Sequence, residues 1–199
     1  MEKLEFLLSK GADANLVDKR GGTPLMASCD FGLPAMVERL CKVPGINLNS
    51  REDWGNSALM WAAAGNKTQC VEKLRAIAGV DWNAVDKNGF SAVLMAVTLG
   101  HVGVLEALLP VSGLDLNILN KAGFSVAHRA VKSSKANSLR ILQLLCEDGR
   151  VDWNVPDSEG NRPLLMALEL NKLELFRTLA RNPGVDTNIT DSEGEGLGS

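Results

Sequence analysis

Tyrosine is absent from this 199-residue chain, and aromatic residues of all kinds make up only 5% of it. The core must therefore be built from Leu, Val, Ala and Met. Nor is there a surplus of positive charge: 21 Lys and Arg against 24 Asp and Glu leave a formal net charge of −3. That excludes a general nucleic-acid or anionic-membrane binder, since both need a strong basic excess. Long apolar runs are missing as well. Stretches such as Ala92 to Val97 fall far short of the ~20 residues that span a bilayer, and the start, Met1-Glu2-Lys3-Leu4-Glu5-Phe6, lacks the apolar segment of a signal peptide. No Cys-x-x-Cys pair occurs among Cys29, Cys41, Cys70 and Cys146, and neither His101 nor His128 has a cysteine at ligand spacing. The thiols read as small buried hydrophobes, with no metal and no cofactor expected. A soluble intracellular, cytoplasmic protein is the expectation.

What is present is self-similarity. Asp13-Ala14-Asn15, Asn47-Leu48-Asn49, Asp81-Trp82-Asn83, Asp115-Leu116-Asn117, Asp152-Trp153-Asn154 and Asp186-Thr187-Asn188 place Asn at intervals of 34, 34, 34, 37 and 34. Gly21, Gly55, Gly89, Gly123, Gly160 and Gly194 repeat those intervals, and three residues before each stands Asp18, Glu52, Asp86, Asn120, Asp157 or Asp191. Three markers sharing one period, including one three-residue insertion, define a repeat.

Each unit reads alike. Thr23-Pro24-Leu25, Ser57-Ala58-Leu59, Ser91-Ala92-Val93 and Ser125-Val126-Ala127 begin a helix with a hydroxyl N-cap. Arg162-Pro163-Leu164 departs from this and should cap poorly. About nine residues later Gly32, Asn66, Gly100, Asn137 and Asn171 offer a left-handed residue to end that helix. A second amphipathic helix follows, as in Val102, Val104, Leu105, Leu108 and Leu109. The Asp and Asn of each triplet are expected to hydrogen-bond the hairpin backbone locally, and Trp82 and Trp153 to pack between repeats.

The Thr23-Pro24-Leu25, Gly100-His101, Gly11-Ala12-Asp13-Ala14-Asn15 and Asp-x-x-Gly motifs strongly resemble the ankyrin repeat family. The resemblance covers nearly the whole chain and implies an all-α solenoid of helix–turn–helix units joined by β-hairpin loops. Five full repeats are expected at 18–51, 52–85, 86–119, 120–156 (with the insertion) and 157–190. Residues 1–17 read as the outer helix and hairpin arm of a partial repeat, and 191–199 as a flexible tail. Half-repeats at both ends look cut rather than capped, so a segment of a longer array or multidomain protein is expected.

An enzyme needs a nucleophile, a base or a metal on converging positions, and none is apparent. His128 reads as a satisfied structural histidine. Gly194-Glu195-Gly196-Leu197-Gly198 faintly resembles a phosphate loop, but no helix follows it and no Lys accompanies it.

The resemblance implies contacts with a protein partner through the concave face of inner helices and the hairpin tips. By register, the candidate binding residues are Phe31, Trp54, Trp61, Phe90, Leu99, Phe124, Arg129, Lys132 and Met166. Trp54, Phe90 and Phe124 read as one row on successive tips, forming either an exposed patch or rings packed between adjacent hairpins. Charge is uneven: residues 120–150 hold six basic and two acidic side chains, a net of +4, whereas 151–199 hold nine acidic and four basic, a net of −5. The basic insert within Lys132-Ser133-Ser134-Lys135-Ala136 should extend the inner-helix end toward the concave side and could engage an acidic partner segment. The expected function is a non-catalytic protein–protein interaction module; the alternative is a regulatory segment of a larger enzyme or channel. Neither nucleic acid nor membrane insertion is expected.

In a solenoid, stability sums over repeats and their neighbour interfaces. Deleting residues 86–119 should therefore leave a shorter protein with helical circular dichroism and a cooperative melt. Loss of both would speak for a globular domain instead.

Overall fold

A computed structural model describes Phe6 and residues 9–188. The expected helix within residues 1–17 lies largely, and the tail at 191–199 wholly, outside the described residues.

Five helix pairs follow one another: α1 (Pro24–Asp30) with α2 (Pro34–Cys41), α3 (Ala58–Ala64) with α4 (Thr68–Arg75), and α5 (Ala92–Leu99) with α6 (Val102–Leu108). Then come α7 (Val126–Lys132) with α8 (Ser138–Asp148), and α9 (Pro163–Glu169) with α10 (Leu173–Ala180). Odd-numbered helices pack on the next odd-numbered one and even-numbered on even-numbered, giving an inner and an outer layer. Most of these helices have only seven or eight residues. Isolated helices of that length are unstable in water, so the interface between the layers has to hold them. It is apolar and periodic: Leu40, Leu74, Leu108, Leu145 and Leu179, one from each outer helix, are all fully or almost fully buried.

The N-caps form as expected at Thr23, Ser57 and Ser91, whose hydroxyls accept from the backbone N–H of Met26, Met60 and Leu94 at 3.2, 3.4 and 3.3 Å. Arg162 makes no side-chain cap. Gly32, Asn66, Gly100 and Asn171 adopt the left-handed conformation. Asn137 does not, with φ at −90°. The three extra residues lie in the α7–α8 turn and relax it, and Asn137 instead donates its side-chain amide to the Gly100 carbonyl at 3.2 Å. Helix α7 is no longer than α1 or α3, so the insert lengthens the turn and not the inner helix. Trp153 is buried and Trp82 is partly buried against the core.

Between pairs, the chain forms tight loops rather than extended hairpins; among the described residues the ladder pairing is a lone antiparallel bridge, Val85 to Ser91. The marker side chain organises each loop. Asp86 Oδ1 accepts from the N–H of Asn88 and of Phe90, both at 2.8 Å, and Asp18, Glu52, Asn120 and Asp157 repeat this. Successive loops then join through the backbone: Asp53 N–H to Arg20 O at 2.8 Å, Lys87 N–H to Trp54 O at 2.9 Å, and Lys121 N–H to Asn88 O at 3.0 Å. That approach leaves no room for a side chain at Gly89 and Gly123. A Cβ on Gly89 (φ +81°) would sit 2.8 Å from Asn120 Cα, and one on Gly123 (φ +75°) 2.6 Å from Ser158 N.

The triplet Asp residues bond locally, as expected; Asp81 Oδ1 accepts from Asn83 N–H at 3.1 Å. The triplet Asn residues do not. Asn83 donates its amide to the carbonyl of Gly113 and accepts from the N–H of Asp115, each at 2.8 Å, bridging to the next repeat. Asn15, Asn49, Asn117 and Asn154 make the same pair of bonds. An amide holds one donor and one acceptor side by side, so it can clasp a carbonyl and an N–H of the neighbouring chain at once; a carboxylate could not.

Asn83→Ala removes two bonds between repeats and Asp81→Ala one local bond. With about 1 kcal/mol per net hydrogen bond, Asn83→Ala should cost about 1–3 kcal/mol in urea unfolding and Asp81→Ala clearly less. Equal losses would mean that the amide does not couple repeats.

Candidate protein-binding surface

The candidate residues divide into two clusters and two outliers. Trp54 stands at a loop tip with its backbone locked on both sides: its N–H donates to Glu52 Oε2 at 2.9 Å, and its carbonyl accepts from Lys87. Its ring is 65% exposed, and Phe31, at the C-cap of α1, is 72% exposed. With the half-buried Trp61 of α3 they line an open cleft of about 670 Å³, together with Leu16, Val17, Met26 and Ala27 and with the charged Asp18, Arg20, Asp30 and Glu52.

Phe90 and Phe124 are not in a row with Trp54. They follow their marker glycines, whereas Trp54 precedes its own, and their N–H groups are tied to Asp86 and Asn120. The chain therefore turns inward there, and both rings are half-buried against the core. Between them lies the guanidinium of Arg129 from α7, with its carbon 5.3 Å from the Phe90 centroid and 4.8 Å from that of Phe124. The Lys132 ammonium sits 4.5 Å over Phe124. Phe124 also meets His128 edge-on, at 5.8 Å between centroids. Leu99, exposed at the end of α5, belongs to neither cluster. Met166 is a correction: its flexible side chain folds into the core and is only 6% exposed.

The net positive charge of residues 120–150 also divides. On the outer layer, Arg140 pairs with Glu106 at 3.1 Å. Arg150 is bound to Asp148 at 2.7 Å and donates to the carbonyls of Leu109 and Val111. Among the described residues Arg129, Lys132 and Lys135 have no ion-pair partner.

Both histidines serve the stack. His101 Nδ1 meets the Ala63 carbonyl at 2.9 Å. His128 is fully buried; its Nδ1 accepts from Ser125 N–H at 3.2 Å in a capping box, and Nε2 donates to Asn161 O at 3.3 Å. Among the described residues no three His, Cys, Asp or Glu side chains are grouped to hold a metal, and no described helix is long and apolar enough to cross a membrane. The cysteines are free; Cys29 and Cys70 are buried together, and the hydrogen bond between them, with burial, pushes the Cys29 thiol far above its ordinary range.

Sequence reasoning missed Leu16 and Val17 at the first cleft. The same register holds Ala84-Val85 and Ile118-Leu119, so apolar character there carries no signal. It also missed Thr98, whose hydroxyl is shielded from solvent with no partner.

Burial lowers the His128 pKa below its ordinary 6.5. In the pH range between the two values the unfolded chain binds a proton that the folded one does not, so stability falls as pH drops. Its contribution is complete above pH 6.5 and is lost progressively below it. Melts from pH 7.5 to 5 should show this decline, and His128→Gln should flatten it; an unchanged slope in the variant would place the titration elsewhere.

Against known families, the model describing ankyrin repeats matches three times, over residues 1–86, 64–157 and 93–191. No curated protein sequence matches. Among solved structures, the ankyrin repeat domain of Bcl-3, described as a unique member of the IkappaB protein family, is 25% identical with a TM-score of 0.84, covering 98% of this chain and 84% of that one. The ankyrin repeat protein EF0377 is 23% identical with a TM-score of 0.82, covering 89% of each chain. An ankyrin repeat domain from Acinetobacter baumannii AYE is 23% identical with a TM-score of 0.81, covering 90% of each.

Proposed function

Since this chain belongs to the ankyrin repeat family, whose repeats are generally protein–protein interaction modules, we propose that it is a non-catalytic module that binds a protein partner. Two places on the inner helices and loop tips make the contact. The observation that carries this reading is the first cleft, where Trp54 and Phe31 stand largely exposed beside Leu16, Val17 and Trp61. A solvated surface would not hold two large rings around one concavity. Trp54 is fixed through both backbone groups, so little conformational freedom remains to be lost when a partner covers it. An apolar partner side chain fills that cleft.

The second place is the Phe90–Arg129–Phe124 stack with Lys132 beside it. Stacking presents the guanidinium in one orientation, which suits an acidic segment of the same partner. Leu99 contributes at most a rim contact, and Met166 supports from beneath.

Interface energy concentrates in a few desolvated aromatic and Arg anchors, worth about 2 kcal/mol or more each on truncation. With the partner recovered by affinity purification from cells, calorimetry should show Trp54→Ala and Phe31→Ala each weakening binding by about that amount. Glu72→Ala and Gln143→Ala, on the outer helices, should leave it unchanged. Equal affinity across all four, with melting temperatures retained, would move the partner to another face.

A further inference from the structure

The insertion that breaks the 34-residue period builds a pocket. Thr98 of α5, Arg129 and Lys132 of α7, and Ser133, Ser134 and Lys135 of the turn line a half-open pocket of about 240 Å³. Two polar atoms there, Thr98 Oγ1 and Arg129 Nε, are shielded from solvent and have no hydrogen-bond partner. Buried donors are almost always satisfied, so two orphans beside one cavity call for an acceptor that enters it. The Arg129 guanidinium carbon lies 5.3 and 4.8 Å from the Phe90 and Phe124 centroids, so contact with both rings holds the group beside the pocket.

Charge points the same way. Arg129, Lys132 and Lys135 have no acidic partner among the described residues. The pocket lies at the C-terminal end of α7, whose carbonyls would repel an anion. Lys172 occupies those carbonyls, donating to Val131 O at 2.7 Å and Ser133 O at 2.6 Å. Ser133 Oγ already accepts from Lys135 N–H at 3.3 Å, so its own hydrogen is free to donate.

Three cations with three hydroxyls exceed what one carboxylate needs. They match a phosphate monoester, which carries a charge near −2 and three acceptor oxygens. We propose that this pocket takes the phosphate of a phosphoserine or phosphothreonine on the protein partner. Arg129 Nε and Thr98 Oγ1 donate to its oxygens, and Lys132 and Lys135 supply charge at the mouth. This rests on the reading of the inner face as the partner surface and names the chemistry of its second contact.

The first test follows the Arg129 Nε–Hε resonance by NMR during titration with inorganic phosphate, against chloride at equal ionic strength. The second compares retention of the whole chain on immobilised peptide pools carrying a fixed central phosphoserine, serine or glutamate. A saturable shift with phosphate alone is expected, with retention on phosphoserine about tenfold above the other pools. Arg129→Gln should abolish the preference for phosphoserine over serine at an unchanged melting temperature. Thr98→Val, which keeps the shape of the side chain, should cut phosphoserine retention several-fold at an unchanged melting temperature. Equal retention on glutamate, no saturable shift, or a Thr98→Val variant that binds like the parent would overturn the assignment. If Trp54→Ala and Phe31→Ala still weaken a partner whose dephosphorylation changes nothing, the pocket assignment fails while the interaction surface stands. If phosphoserine peptides bind and those two variants leave partner binding unchanged, the pocket stands and the apolar cleft does not.

Discussion

Everything in this molecule depends on polar side chains that cross from one repeat to the next and end on backbone. A seven-residue helix has too few internal hydrogen bonds to outweigh the ordering of its chain, and it leaves the terminal carbonyls open. Leucine packing between layers supplies adhesion but little register, since an apolar interface tolerates sliding. The crossing bonds supply the register. Asn15, Asn49, Asn83, Asn117 and Asn154 each clasp a carbonyl and an N–H of the following repeat. Arg75 donates to Ala107 O at 3.0 Å, Arg150 to Leu109 O and Val111 O, His101 meets Ala63 O, and Lys172 reaches Val131 O. Each bond has one acceptable displacement, so the stack has one geometry.

The loops extend that geometry to the binding surface. The marker side chains fix the tips, tip carbonyls accept from the next tip, and the glycines permit close approach. Trp54 consequently projects from a backbone immobilised on both sides, and Arg129 is held by two rings whose own N–H groups are tied down. Large residues placed on immobile backbone give up little entropy on binding. The same rigidity keeps the two proposed contact places at a constant separation, so a partner that reaches one has the other already within range.

The repeat, both helices of each unit, the N-caps and the poor cap at Arg162 were legible in the sequence because each is written in residues close together in the chain. What the sequence hid lay between repeats. The Asn of each triplet read as a local turn former because Asp–x–Asn is one, yet its partners lie 30 and 32 residues away. Trp54 and Phe90 looked equivalent although one precedes and the other follows a glycine in the left-handed region. Two positions of offset, with the left-handed glycine between them, separate an exposed ring from a half-buried one. Met166 matched the register of Trp61 and Arg129, but a methionine has the freedom to fold inward where tryptophan is too large and arginine too polar. Asn137 failed as a left-handed stop because the insertion gave the turn another route.

That insertion shows how an array with strict local rules acquires something individual. Extra residues within a helix would have shifted every core position after them and broken the leucine series on the outer layer. Placed in the α7–α8 turn, they leave Leu145 as fully buried as Leu74 and Leu108. The leucine series does not depend on them, so their composition is free to be polar and basic. Lys135 packs its stem on Gly100, where an added Cβ would sit 3.0 Å from the lysine Cβ, and Asn137 ties the far end of the turn to Gly100 O. A turn that is longer than the fold requires, yet anchored at both ends, holds its cations in place around a cavity instead of releasing them to solvent. Sequence freedom within fixed geometry is the condition under which a binding specificity can be written onto a repeat without cost to the stack.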